Sequence, residues 1–164
     1  MAKEQKKFRI IRDSREKKDN GWDFRASANC LGMEVKKLDV GDYSIEGYEH
    51  LIMIERKSIA DLWHTLVQDR ERFIRQMERA RPVCAKYIII EGTLKDVMDG
   101  IYWSKVRPEF ILSSITSLEV KYGVHVVFTS KRTDVSQAYV RRLLAKLFQY
   151  CEEGIISGRP VDTQ

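Results

Sequence analysis

The chain has 164 residues, 43% of them hydrophobic and 32% charged, with a formal net charge of +5. That length suits one compact domain with a core of its own, and the composition is that of an ordinary globular protein rather than a disordered or fibrous one. No apolar run approaches a membrane span and the first residues form no secretory leader; the three cysteines have no metal-like spacing and read as reduced thiols, so an intracellular, cytoplasmic protein with an anionic partner is expected.

Residues 1–7 are polar and expected to fray. Phe8–Asp13 reads as the first strand. Asp19–Gly32 mixes a turn with a short helix carrying Trp22, Phe24 and Leu31. Glu34–Leu38, Asp42–Ile45 and Leu51–Arg56 read as strands, the last two closed by a hairpin turn at Glu46-Gly47. Ser58 caps a helix with Asp61 at its third position, which runs to about Gln68, and a second helix runs over Arg70–Arg81. Lys86–Glu91 is a continuous apolar run and so a buried strand, followed by a short helix at Leu94–Met98. Pro108 opens a helix that ends at Gly123. Val124–Thr129 is the last strand and Ser136–Glu152 an amphipathic terminal helix. Strands first in a meander and then alternating with helices predict an α/β fold, a central mixed sheet flanked by helices. Residues 8–152 form the domain, and 153–164 read as a flexible tail.

The chemistry concentrates where an apolar strand runs into Glu55-Arg56-Lys57. Strand side chains alternate, so Glu55 and Lys57 share one face and Arg56 takes the other. Asp42 arrives from the preceding strand or turn. Two carboxylates suit a hard divalent cation such as Mg²⁺ or Mn²⁺, which keeps several waters, and Lys57 beside it can orient water or steady negative charge. Read singly, Asp42 is equally a turn residue and Glu55 with Lys57 an exposed ion pair. Together, at the carboxyl end of a core strand, they mark a site. Arg70, Arg72, Arg75 and Arg79 make a basic stripe that can meet phosphates, although Glu71 and Arg75 also form a favourable helical pair. The three histidines are too scattered for a ligand set or a triad. No glycine-rich phosphate loop is present, so no nucleotide cofactor is expected.

Gly41-Asp42, Glu55-Arg56-Lys57 and Asp61 resemble the GD…ERKxxxD motif of the XPF-type structure-specific endonucleases, within the wider PD-(D/E)xK nucleases. The resemblance extends to Asp13-Ser14-Arg15-Glu16 after the first strand, to Arg70-Glu71-Arg72-Phe73 opening a helix, and to Ile88–Gly92, covering roughly residues 8–150. Asp69 departs from it, standing where relatives often have Gly. The resemblance implies a restriction-endonuclease-like fold and a metal-dependent DNA endonuclease acting on branched DNA (flap, fork or junction) in repair, replication or recombination. It implies that Asp42, Glu55 and the Arg56 carbonyl hold the metal, with Asp13 either a further ligand or water contact or a carboxylate paired with Arg15 or Lys17. Asp61 then caps its helix or tethers Arg56 or Lys57, Arg15 supports the site, and Glu16 either assists the water or is solvated. Arg70 and Arg72, and less directly Arg75, would face DNA. Relatives pair through their later helices, so a homodimer or a partner protein is expected, with Phe110, Ile111, Ile115, Leu144 and Phe148 either the pairing patch or core. A stand-alone domain without the helix-hairpin-helix module that many relatives append is expected, as in small prokaryotic or phage members. The rival expectation is a non-catalytic DNA-binding or scaffolding relative.

Overall fold

The computed structural model describes residues 6–16, 21–100 and 105–158. Its strands are β1 (Phe8–Asp13), β2 (Cys30–Lys36), β3 (Tyr43–Ile45), β4 (Ile52–Ser58), β5 (Ala85–Glu91) and β6 (His125–Phe128). Its helices are α1 (Ile59–Val67), α2 (Arg70–Arg79), α3 (Leu94–Asp99), α4 (Pro108–Tyr122) and α5 (Thr133–Glu152). The strands form one sheet in the order β2-β1-β3-β4-β5-β6. β1 runs parallel to β2 and antiparallel to β3, β3 runs antiparallel to β4, and β4, β5 and β6 are parallel. This is the mixed sheet that the pattern predicts, but β2 lies outside β1 and parallel to it, so the first strands do not form the expected meander.

Helices cover both faces, which is why Ile52-Met53-Ile54 and Ile88-Ile89-Ile90 are buried without alternation. On one face Met53, Ile88 and Ile90 pack with Leu62, Trp63 and Leu66 of α1, Phe73 and Met77 of α2, and Ile111, Ile115 and Leu118 of α4. On the other, Ile10, Ile45, Ile54 and Ile89 pack with Val140, Leu144 and Leu147 of α5. Each fully buried aliphatic side chain contributes roughly 1.5–3 kcal/mol. Ile111, Ile115 and Leu144 are therefore core, and Phe148 packs on Phe8 in a tilted ring pair with centroids 5.4 Å apart. Of the residues proposed for a pairing patch, only Phe110 stays well exposed. No helix among the described residues is long and apolar enough to cross a membrane.

Helix ends follow their local signals. The Ser58 hydroxyl accepts the Asp61 N–H, Thr93 and Asp96 form a capping box, and Pro108 opens α4, which Gly123 closes in the left-handed region. Three expectations change. Residues 21–32 hold no helix; Trp22 and Phe24 reach the core from an extended segment and pack on Tyr43 at 5.1 and 5.7 Å, while Leu31 is exposed. β2 starts at Cys30, four residues before the expected strand, because Gly32 (φ +95) lies at a register shift against β1 rather than ending a turn. The ends are also tied down: Lys6 pairs with Glu152, Ile155 N–H donates to the Tyr150 carbonyl, and Ile156 packs on the core. Residues 1–5 and 159–164 of the expected tails lie outside the described residues.

Gly41 sets the turn before β3. Its φ is +78, and an added Cβ would lie 2.6 Å from Met53 Cγ and 3.0 Å from the Ile54 carbonyl oxygen. Left-handed backbone alone costs roughly 1–2 kcal/mol for a residue with a Cβ. Gly41→Ala is expected to lower the unfolding free energy by at least that much, read as a lower urea midpoint at unchanged m-value. A variant melting like wild type would show that the turn tolerates a side chain.

Candidate active site

β4 delivers the site. Its buried half anchors between β3 and β5, and its carboxyl end emerges as Glu55-Arg56-Lys57 before Ser58 starts α1. Glu55 and Lys57 lie on one face, with Lys57 Nζ 3.3 Å from Glu55 Oε1, and both side chains are nearly enclosed. Lys57 also sits over the Phe73 ring at 5.1 Å. Glu55 Oε2 accepts a 2.8 Å hydrogen bond from Gln76 Nε2 of α2, so both its oxygens are oriented.

Asp42 comes from the Gly41 turn. Tyr43 pairs with Ile54 across the antiparallel β3–β4 ladder, so one step further Asp42 faces Glu55. The main chain fixes it twice: Asp42 N–H donates to the Ile54 carbonyl at 2.8 Å, and its own carbonyl accepts the Asp13 N–H at 2.7 Å. Asp42 Oδ2 accepts the Arg56 N–H at 2.8 Å. Burial, and then the charge of Glu55, push the Asp42 carboxyl well above the usual carboxylate range, although the Arg56 N–H and Lys57 pull the other way. A pair of carboxylates held in mutual repulsion, both oxygen donors, fits a hard divalent cation. Among the described residues no group of three or more His, Cys, Asp and Glu side chains is placed to hold one.

Asp13 does not join them. Its carboxylate accepts hydrogen bonds from Arg15 Nε (2.7 Å), Arg15 N–H (3.1 Å), Arg15 Nη2 (3.3 Å) and Leu38 N–H (2.7 Å). Burial works against its charge, but the bonds from Arg15 and Leu38 outweigh it and its pKa is lowered. Both oxygens thus serve the strand end, with Arg15 as the paired cation. Arg15 reaches on to the Leu38 carbonyl at 2.7 Å and braces the loop before Asp42.

Arg56 points to the opposite face, as alternation requires. It bonds Glu91, pairs with Glu16 at 3.9 Å and lies over the Trp22 ring at 5.1 Å. Glu16 is therefore a partner of Arg56, and its charge also reaches Asp42, whose pKa it helps to raise. Asp61 is exposed in the first turn of α1, where its N–H, not its carboxylate, serves the cap; it tethers neither Arg56 nor Lys57.

The basic stripe divides. Arg70 turns towards α4, donating to Ser114 Oγ at 2.9 Å and lying over Phe110 at 5.6 Å, so it joins α2 to α4. Arg72 and Arg75 remain exposed, each loosely paired, with Asp69 at 3.9 Å and Glu71 at 4.0 Å. Sequence reasoning missed Gln76 and Glu91. Gln76 carried a signal, a polar residue set in the buried Phe73–Met77 stripe, and Glu91 another, a carboxylate ending an apolar strand.

A family model described as the ERCC4 domain matches residues 12–141. Among solved structures, the chain is similar to XPF from Aeropyrum pernix at 22% identity and a TM-score of 0.63, over 90% of this chain and 68% of that one. It is likewise similar to XPF from Aeropyrum pernix in complex with DNA, at 22% identity and a TM-score of 0.64, over 87% of this chain and 66% of that one. At such identity the likeness is one of fold, and the chain spans about two thirds of the length of those structures. No curated protein matches the chain.

Proposed function

The chain belongs to the ERCC4 domain family, and from that premise we propose that residues 8–152 form a divalent-metal-dependent DNA endonuclease that hydrolyses phosphodiester bonds in branched DNA. The observation that carries this reading is the approach of Lys57 to Glu55 at 3.3 Å at the end of β4, facing an Asp42 whose pKa is raised by burial and then by the Glu55 charge. Asp42, Glu55 and the Arg56 carbonyl would hold Mg²⁺ or Mn²⁺. When bound, such a cation eases deprotonation of an attacking water and offsets charge on the phosphate.

The chain's own groups do the rest. The Arg56 N–H holds one Asp42 oxygen and leaves the other free to turn outward. Gln76 fixes Glu55 so that its second oxygen stays beside Lys57. The Lys57 ammonium then stands where charge builds on the phosphate oxygens and is worth more there than in water, because its side chain is nearly enclosed. Water adds to phosphorus, the bond to the 3′-oxygen breaks, and that oxygen takes up a proton as the 5′-phosphate forms.

Arg72 and Arg75 supply a phosphate-facing helix surface next to this centre. A DNA substrate implies an intracellular role, in repair, replication or recombination. Pairing with a second copy or a partner protein would use exposed apolar residues of α4 and α5, such as Phe110, Val120, Tyr139 and Tyr150. Incubating the chain with labelled flap, fork, junction, duplex and single-stranded DNA in Mg²⁺ or Mn²⁺ tests the reading. Cleavage concentrated on branched substrates, with 5′-phosphate ends, is expected. Binding without cleavage in either metal would overturn it in favour of a non-catalytic DNA-binding module.

A further inference from the structure

On the other face of the same sheet end lies a cation that the reaction does not use. Arg12 of β1 is 8% exposed, and its Nε is fully enclosed with no hydrogen-bond partner among the described residues. Leaving such a group unsatisfied costs about 1–3 kcal/mol or more, because guanidinium is charged and only donates. Register fixes its surroundings. Arg12 lies opposite Tyr43 on one side and Val35 on the other. Tyr43 lies opposite Ile54, so Arg12 shares the face of Ile54 and Arg56, away from Glu55 and Lys57. The acids there are engaged elsewhere, since Glu16 and Glu91 pair with Arg56; Asp13, next in the chain but on the opposite face, is bound to Arg15 and Leu38. On the sheet-edge side the cover is thin, since Val35 is 51% exposed. Lys36 and Lys37 follow it at the surface, and Arg15 is exposed beside them.

We propose that Arg12 is a phosphate-binding residue: its guanidinium takes one backbone phosphate of the substrate strand where that strand passes over the β1–β2 edge. This rests on the DNA-cleaving reading. A strand bound with its reacting phosphate over Asp42 and Glu55 would have to pass around the ends of β1, β3 and β4 to bring a further phosphate to the Arg12 face. An oxyanion supplies the acceptor that this donor-only group lacks, and a phosphate suits the fork geometry of arginine. The plain alternative is a side chain whose tip is merely solvated or bridged by water.

The test is binding of a labelled fork in EDTA across a salt series, so that cleavage plays no part. Arg12→Met is expected to flatten the slope of log affinity against log salt by about 0.7–0.9, the value of one phosphate, whereas Arg12→Lys keeps it. A folded Arg12→Met with an unchanged slope overturns the proposal. If wild type binds no fork at all, the DNA reading itself fails and takes this one with it. Inorganic phosphate that stabilises wild type but not Arg12→Met, with no change in DNA slope, marks a free-anion site and overturns the assignment to nucleic acid. Should Arg12→Met not fold, the Arg12 Nε–Hε resonance of wild type decides: it shifts on adding the fork if the proposal holds, and stays in place if it does not.

Discussion

Asp42→Ala or Glu55→Ala is expected to remove cleavage altogether while leaving the fold intact. Each deletes half of the carboxylate pair, and a cation's charge stabilisation is worth several kcal/mol; at 1.36 kcal/mol per factor of ten, losing it costs on the order of 10³-fold or more in rate. Stability should move the other way. The folded pKa of Asp42 is raised, by burial first and by Glu55 second, so the ionised carboxylate costs stability at any pH above its unfolded pKa. The cost vanishes below that unfolded value, grows as pH rises towards the folded pKa, and is complete above it. Asp42→Ala should therefore melt higher than wild type in EDTA, by a margin that widens with pH. Added Mg²⁺ or Mn²⁺ should raise the melting temperature of wild type and not of either variant. Normal cutting by either variant, or an equal metal-induced shift in both, would sink the ligand assignment.

Lys57→Ala is expected to lose about 10²–10³ in single-turnover rate, the usual effect of deleting one charge stabiliser from an enclosed site. Its signature is a separation of binding from chemistry. Glu55 keeps its bond from Gln76 and Asp42 its bond from the Arg56 N–H, so the metal-induced melting shift and fork affinity should survive. Turnover close to wild type would leave Lys57 as a packing residue on the Phe73 ring.

Which parts of this were legible follows from the range of the interactions. Alternation alone set Glu55 beside Lys57 and sent Arg56 to the other face. Ser58, Pro108 and Gly123 marked helix ends because capping acts over three or four residues. What escaped depends on partners far away in the chain. The Asp13 carboxylate looked open until the Leu38 N–H, 25 residues on, closed on it. Arg70 belonged to an exposed stripe by spacing, yet Ser114, 44 residues on, draws it towards α4. β2 was misplaced because a glycine with positive φ reads as a turn, whereas here it absorbs a register shift within a pairing that only β1 reveals.

The strand order also limits how copies of this chain can meet. β2 and β6 are the outermost strands, the two that present unpaired main-chain groups. β2 is kinked at Gly32 and lined by Glu34 and Lys36, which pair across to Arg9 and Glu46. β6 is only four residues long. Neither rim offers a flat, extended template, so continuous sheet formation between molecules is disfavoured. Glu55 lies on the interior strand β4 and Asp42 in the turn that leads into the interior strand β3, so growth of the sheet at either rim would leave them untouched. Any self-association is directed to the helical layers, and fibre-like stacking in concentrated solution should be slow.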